Sequence, residues 1–75
     1  MDEGYIISNK YRRVIFEGLA SGEKNINILA KKHRIIPRVA KKIAEELLEH
    51  EILTRQGNHY VLTDEGRKLG ETLKG

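Results

Sequence analysis

The sequence predicts a small, mostly helical α+β fold that contains one β-hairpin. Three observations predict it: apolar residues recur at helical spacing in several segments, Pro37 interrupts that pattern near the middle of the chain, and Gly57-Asn58 separates two short β-prone segments. With 75 residues, the chain is expected to form one domain over residues 1–75, because single cores are typically built from ~100–150 residues.

Composition excludes several classes of protein. The chain is 39% hydrophobic and 33% charged, which is too apolar for a disordered segment. It has no Cys, so neither a disulfide framework nor a thiolate zinc site is possible, and a reducing, cytoplasmic setting is expected. Apolar runs reach only two or three residues, far below the ~20 that span a bilayer, so no membrane partner is expected.

Charge is sorted along the chain. Residues 24–42 contain seven Lys or Arg and no acid, whereas residues 43–53 contain four Glu and no Lys or Arg. A basic segment of this kind is typical of a polyanion-binding protein. It is equally typical of a solvated charged face, so the charge pattern alone leaves both interpretations open.

Two helices are predicted in the first half of the chain. Ser8 is a candidate N-cap for a helix over about residues 9–20, and Asn27 is a candidate N-cap for a short helix over about 28–34, whose apolar side Ile28 and Leu29 would supply.

A third helix is predicted over about residues 37–50, because Pro37 suits the first helical position and moves Ile36 out of the α region. Its buried stripe is predicted to consist of Ala40, Ile43, Ala44, Leu47 and Leu48. The opposite face carries Arg38, Lys41, Lys42, Glu45 and Glu49. The three cations occupy the N-terminal half, where they oppose the helix dipole by ~0.3–1 kcal/mol each. A ligand with phosphates would explain their placement.

The last part of the chain predicts a hairpin and a final helix. Residues 52–56 and 59–62 flank the Gly57-Asn58 turn, and Thr63 is a candidate N-cap for the helix that follows. Gly66 and Gly70 lie on its apolar side and weaken it by ~1 kcal/mol each, unless they allow the first predicted helix to approach closely.

This order of elements resembles the winged helix-turn-helix fold of archaeal and bacterial transcriptional regulators, particularly the MarR and ArsR types. The segments EELLEHEIL and YVLTDEGRKLGETL are similar to the two ends of the wing in these families, and SNKYRRVIFEGLASGEKNI is similar to the opening helix of archaeal members. The buried offsets of the helix-turn-helix pattern are occupied by Leu29, Ala30, Ile35, Ala40 and Ile43. The resemblance implies a helix-turn-helix at about 27–50 and a wing at about 52–62.

Two positions depart from the families' pattern. Arg34 stands where they often carry a turn glycine, and Glu51 stands where a glycine often separates the recognition helix from the wing. Since a non-glycine residue at positive φ costs of order 1 kcal/mol, either turn is open to a different conformation. The wing is also short, with Arg55 as the cation along it.

These observations favour a sequence-specific double-stranded DNA binder that regulates transcription and places the third predicted helix in the major groove. The residues assigned to base contacts are Arg38, Lys41, Lys42, Ile36 and Glu45. Those assigned to phosphate contacts are Lys31, Lys32, Arg34, His33 and Arg55. The alternative is a winged-helix protein-interaction module that binds a basic partner through residues 45–51.

No catalytic constellation is found, so neither an enzyme nor a cofactor is expected. His50-Glu51 begins like the zinc motif H-E-x-x-H, but Thr54 stands in place of the second histidine. Glu46 and His50 could share a metal weakly, although an ordinary helix-surface pair is the commoner case. His33 admits two interpretations, a partly buried packing side chain or a phosphate contact. No residues remain for a small-molecule effector domain.

A homodimer is also predicted, because one recognition helix rarely gives useful affinity alone. The candidate surfaces are Tyr5-Ile6-Ile7 with the first predicted helix, and the glycine-lined side of the last helix around Leu69 and Leu73. The segment 5–7 has a second interpretation, as an N-terminal extension of the first helix.

Overall fold

Five helices and one β-hairpin make up the computed structural model, which describes residues 2–74. In chain order they are α1 (Asp2–Ile7), α2 (Lys10–Ala20), α3 (Ile26–Lys32), α4 (Pro37–Glu49), β1 (Leu53–Gln56), β2 (His59–Leu62) and α5 (Asp64–Lys74). The predicted order of helices and hairpin is confirmed, with α1 as an additional element.

The segment 5–7 belongs to this additional helix and does not extend α2. Ile6 is fully buried, because α1 packs against both α2 and α5, whereas Ile7 remains half exposed. The interpretation of the segment as an N-terminal extension is therefore wrong, and of the apolar segment considered as a dimer surface only Ile7 is exposed.

Asparagine side chains cap the two helices that follow. Asn9 accepts hydrogen bonds from the backbone N–H groups of Tyr11 and Arg12 at 2.9 and 3.1 Å, whereas the predicted cap, Ser8, donates its hydroxyl back to the carbonyl of Tyr5 at 3.0 Å. The Ser8 side chain is therefore used at the C-terminal end of α1, and Asn9 is the N-cap of α2.

The start of α3 is shifted in the same way. Asn25 rather than Asn27 is the cap, since its side chain accepts from the backbone N–H groups of Asn27 and Ile28. The helix therefore begins two residues before the predicted start and ends at Lys32. Ile26 enters the core as a result, and Ile28, which was expected on the apolar side, is 50% exposed.

The α4 helix contains the predicted buried stripe. Ala40, Ile43, Ala44 and Leu47 are buried, and Leu48 is half-buried at its edge. Ile36 adopts the extended conformation that Pro37 requires, with φ −58° and ψ 127°, so the chain changes direction there. The helix thus has one side in the core and leaves the side that carries its charges in solvent.

Both departures from the glycine pattern keep a left-handed backbone: φ is 55° at Arg34 and 60° at Glu51. In each case the helix ends in a Schellman motif, in which the N–H two residues beyond the helix cap bonds back to a carbonyl of the last turn. Ile35 donates to Ala30 at 2.8 Å, and Ile52 donates to Leu47 at 3.0 Å. Both isoleucines are buried, so burial holds the turns in a conformation that glycine would adopt at lower cost.

The hairpin pairs Leu53 with Leu62 and closes with Gln56 opposite His59, so the predicted two-residue turn is confirmed. Gly57 has φ 62°, which explains a glycine at this position. Tyr60 donates its backbone N–H to the carbonyl of Lys24 at 3.2 Å, which docks the hairpin onto the segment before α3.

Thr63 joins α4, the hairpin and α5. Its hydroxyl lies 2.6 Å from the carbonyl oxygen of Glu51 and accepts the N–H of Gly66 at 3.0 Å, so the predicted N-cap is confirmed.

The two glycines of α5, Gly66 and Gly70, differ in what they face. A Cβ at Gly66 would clash with the main-chain carbonyl of Ile52, whereas one at Gly70 would meet Phe16 and Ala20 at ordinary contact distances of 3.6–3.9 Å. Of these two glycines, only Gly70 thus faces α2, the helix that was expected to approach both of them.

These surroundings predict opposite effects for two alanine substitutions on one helix. Gly66→Ala should lower the free energy of unfolding by about 1–3 kcal/mol, because a rigid backbone carbonyl opposes the new methyl group. Gly70→Ala should raise it by up to about 1 kcal/mol, since it removes the helix penalty of glycine without a clash. Urea unfolding followed by circular dichroism measures both, and equal effects of the two variants would contradict the predicted difference.

Candidate nucleic-acid interface

The exposed side of α4 carries the cations of its N-terminal half. Arg38, Lys41 and Lys42 are all exposed, and the ion pairs described among the side chains of residues 4–73 involve other cations. Helical geometry explains this arrangement, because these positions lie opposite the buried stripe. Glu45 is exposed one turn further along, and Ile36 is exposed at the N-terminal end of the helix.

The C-terminal end of α3 adds a second group of cations. Lys31 and Lys32 lie in its last turn, where cations are favourable to the helix dipole, and Arg34 follows in the left-handed turn. His33 caps the helix and is exposed, so its interpretation as a packing side chain is wrong. All four side chains therefore reach solvent close to the turn that precedes α4.

A cleft links the start of α4 to the hairpin. It is lined by Asn25, Ile26, Asn27, Pro37, Arg38, Lys41, Asn58 and Tyr60. The two cations of α4 thus share a concave surface with polar side chains from the start of α3 and from the hairpin turn. Sequence reasoning assigned Asn27 to a helix cap and Asn58 to the hairpin turn, and it did not identify this cleft, because nothing in the sequence brings residues 25 and 58 together.

Arg55 lies along the hairpin. Its guanidinium donates to the hydroxyl of Tyr60 on the opposite strand at 3.0 Å, and its carbon lies 5.2 Å from the centre of the Tyr60 ring. The contact with Tyr60 therefore keeps the Arg55 guanidinium close to the hairpin, where it remains exposed to solvent.

The C-terminal half of α4 is engaged with the rest of the protein. Glu46 lies 3.6 Å from the Arg12 guanidinium and 3.5 Å from the Tyr5 hydroxyl, which donates to it. His50 stacks on the Tyr5 ring at 4.0 Å between centroids, and the Arg12 guanidinium carbon lies 3.8 Å from the centre of that ring. Burial raises the pKa of the Tyr5 hydroxyl, while the Arg12 charge acts against that shift and the Glu46 carboxylate adds to it.

This cluster bears on the metal site considered for Glu46 and His50. Among the described side chains, those of residues 4–73, no group of three or more His, Cys, Asp or Glu is placed to hold a metal ion. The two side chains instead contact Tyr5, a partner that sequence reasoning did not identify. The described part of the chain also contains no helix that is long and apolar enough to cross a membrane.

The arrangement of helices and hairpin has counterparts among solved structures. The quinone-bound YodB from B. subtilis superposes with a TM-score of 0.82 at 22% sequence identity, over 97% of this chain and 84% of that one. The MarR family protein Rv2887 from Mycobacterium tuberculosis superposes with a TM-score of 0.78 at 16% identity, over 97% of this chain. This chain spans 57% of the length of Rv2887.

Comparison with protein-family models and with curated protein sequences finds no match. The structural likeness therefore establishes the fold: the chain folds as a winged helix of the kind seen in a MarR family protein, and the predicted fold class is confirmed.

Proposed function

We propose that the protein binds double-stranded DNA in a sequence-specific manner and regulates transcription, with the N-terminal half of α4 in the major groove. The observation that carries this proposal is the set of exposed cations on that half, which have no acidic partner among the side chains of residues 4–73 and oppose the helix dipole. Phosphate groups would stabilise them. The winged-helix fold supports the proposal, since its recognition helix is a common DNA-reading element.

The proposed contacts divide into two kinds. Arg38 reads guanine, because a guanidinium can pair bidentately with O6 and N7, and Lys41 and Lys42 contact bases beside it. Ile36 contacts a thymine methyl, and Glu45 accepts from cytosine N4. The phosphate contacts are made by Lys31, Lys32, His33, Arg34 and Arg55, all of which are exposed.

The alternative function, a protein-interaction module, rests on the acidic face at residues 45–51. Glu46 is occupied by Arg12 and Tyr5, which reduces the charge that this face offers to a basic partner. No comparable internal partner neutralises Arg38, Lys41 or Lys42 within the described residues. We therefore favour DNA as the partner.

Salt dependence tests the electrostatic part of this function. The logarithm of the association constant for a mixed-sequence duplex should fall with the logarithm of salt concentration with a slope of about −3 or steeper, which corresponds to three or more phosphate contacts. Fluorescence anisotropy over a range of NaCl concentrations measures the slope. An affinity that does not change with salt would contradict the proposal.

Two substitutions separate base reading from phosphate binding. Arg38→Ala should cost ~1–3 kcal/mol on the preferred duplex and less on random DNA, whereas Lys31→Ala should weaken both alike and make the salt slope shallower by about one. Arg13→Ala is the matched control, because Arg13 is an exposed cation on α2 that pairs with Glu17 at 3.0 Å. Equal losses of Arg38→Ala on both duplexes would show that Arg38 reads no base.

We also propose that the protein acts as a homodimer. Two surfaces remain available. One is formed by the exposed side chains of Ile7 and Tyr11. The other is a mainly apolar groove between α2 and α5, lined by Phe16, Glu17, Ala20, Ser21, Gly70 and Leu73. Both involve elements other than α4, so a dimer formed there would leave the recognition helices free for a two-part DNA site.

Sedimentation equilibrium at micromolar concentration tests the dimer, with an expected mass near twice 8.6 kDa. Ile7→Glu should reduce that mass if the N-terminal surface is used, and it can be tested because Ile7 is half exposed. Substitution of Ile6 would be uninformative, because Ile6 is fully buried in the protomer. A monomeric mass at every concentration would contradict the dimer.

A further inference from the structure

The exposed side of α4 carries two large apolar side chains among its charges. Ile36 is 62% exposed and Val39 is 37% exposed, although both lie within a few residues of Arg38 and Lys42. The core side of the helix is filled by other residues, which are Ala40, Ile43, Ala44 and Leu47. Packing within the protomer therefore leaves most of Ile36 and more than a third of Val39 open to solvent.

Backbone geometry brings the two residues together at the start of α4, with Ile36 at the N-cap and Val39 in the first turn. Val39 donates its backbone N–H to the carbonyl of Ile36 at 2.9 Å, so the two residues are related as neighbours one turn apart. Lys42 follows Val39 at the same three-residue spacing. Ile36 and Val39 thus lie at the N-terminal end of α4, the part of a recognition helix that contacts base edges.

We propose that Val39, together with Ile36, reads the C5-methyl groups of two thymines, so that the DNA target contains thymines beside the position read by Arg38. The inference rests on the proposed function and adds Val39 as a specificity-determining residue. The thymine methyl is the apolar group that base edges present in the major groove, and it meets aliphatic side chains favourably. Short, stiff side chains at the start of the helix suit this contact, because they lose little conformational entropy on binding.

The test removes the methyl group from the DNA and the side chain from the protein. The preferred duplex is first selected from a randomised pool with the full chain, and each thymine is then replaced singly by deoxyuridine. Wild-type affinity should fall about fourfold at two positions, the ratio expected for one buried methyl group. Val39→Ala should abolish the effect of deoxyuridine at one of these positions, and Ile36→Ala should abolish it at the other.

Ile28→Ala is the matched control. Ile28 is 50% exposed on α3 and lies in a groove lined by α2 residues such as Val14, so this variant should keep the full effect at both positions. Two results would overturn the proposal while DNA binding stands: no thymine of the selected site responds to deoxyuridine, or the response persists in Val39→Ala. Selection that yields no preferred duplex would overturn the proposed function as well.

The same methyl group occurs on 5-methylcytosine, and a further duplex distinguishes the two sources. The thymine–adenine pair that Val39 reads is replaced by 5-methylcytosine–guanine or by cytosine–guanine. Tighter binding to 5-methylcytosine than to cytosine, with thymine tightest of all, supports thymine as the natural contact. Equal or tighter binding to 5-methylcytosine than to thymine would overturn that assignment.

Discussion

The corner between α4 and β1 is the constraint on which the rest of the fold depends. Ile52 is buried there, its N–H bonds back to Leu47 in α4, and its carbonyl accepts the N–H of Thr63 at 3.0 Å. The Thr63 hydroxyl reaches the carbonyl of Glu51 on one side and caps α5 on the other. Gly66 lets α5 approach the same carbonyl of Ile52. One pair of neighbouring carbonyls thus fixes how α4, the hairpin and α5 are placed relative to one another.

Three helices end in the same way, but only one of them uses glycine. Gly22 provides the left-handed residue after α2, whereas Arg34 and Glu51 provide it after α3 and α4 at a cost of order 1 kcal/mol each. The buried isoleucine that follows each of the latter two helps to offset this cost. Arginine in place of glycine at position 34 also changes the surface, since it adds a cation to the turn directly before α4.

Local patterns in the sequence were sufficient to predict α4, the hairpin and the cap of α5. The stripe from Ala40 to Leu47, the Gly57-Asn58 turn and Thr63 each act over a few residues. The errors arose where neighbouring candidates were chemically equivalent. Ser8 and Asn9 are both good caps, and Asn25 and Asn27 are too, so the choice depended on tertiary packing that buries Ile6 and Ile26. The contact of Tyr5 with Glu46 joins residues 41 apart, and no local pattern indicates it.

The two halves of α4 differ in whether their charged side chains have partners within the protomer. In the C-terminal half, Glu46 meets Arg12, and the Tyr5 ring lies against both Arg12 and His50, so this carboxylate is paired inside the protomer, while Glu45 and Glu49 remain exposed. In the N-terminal half the cations have no such partner among the described residues, and the dipole opposes them. The helix tolerates this because burial of its apolar stripe, rather than its surface charge, supplies most of its stability. Its C-terminal half is thereby anchored, and its N-terminal half presents cations and apolar side chains from a rigid support, which is the arrangement that reading of base edges requires.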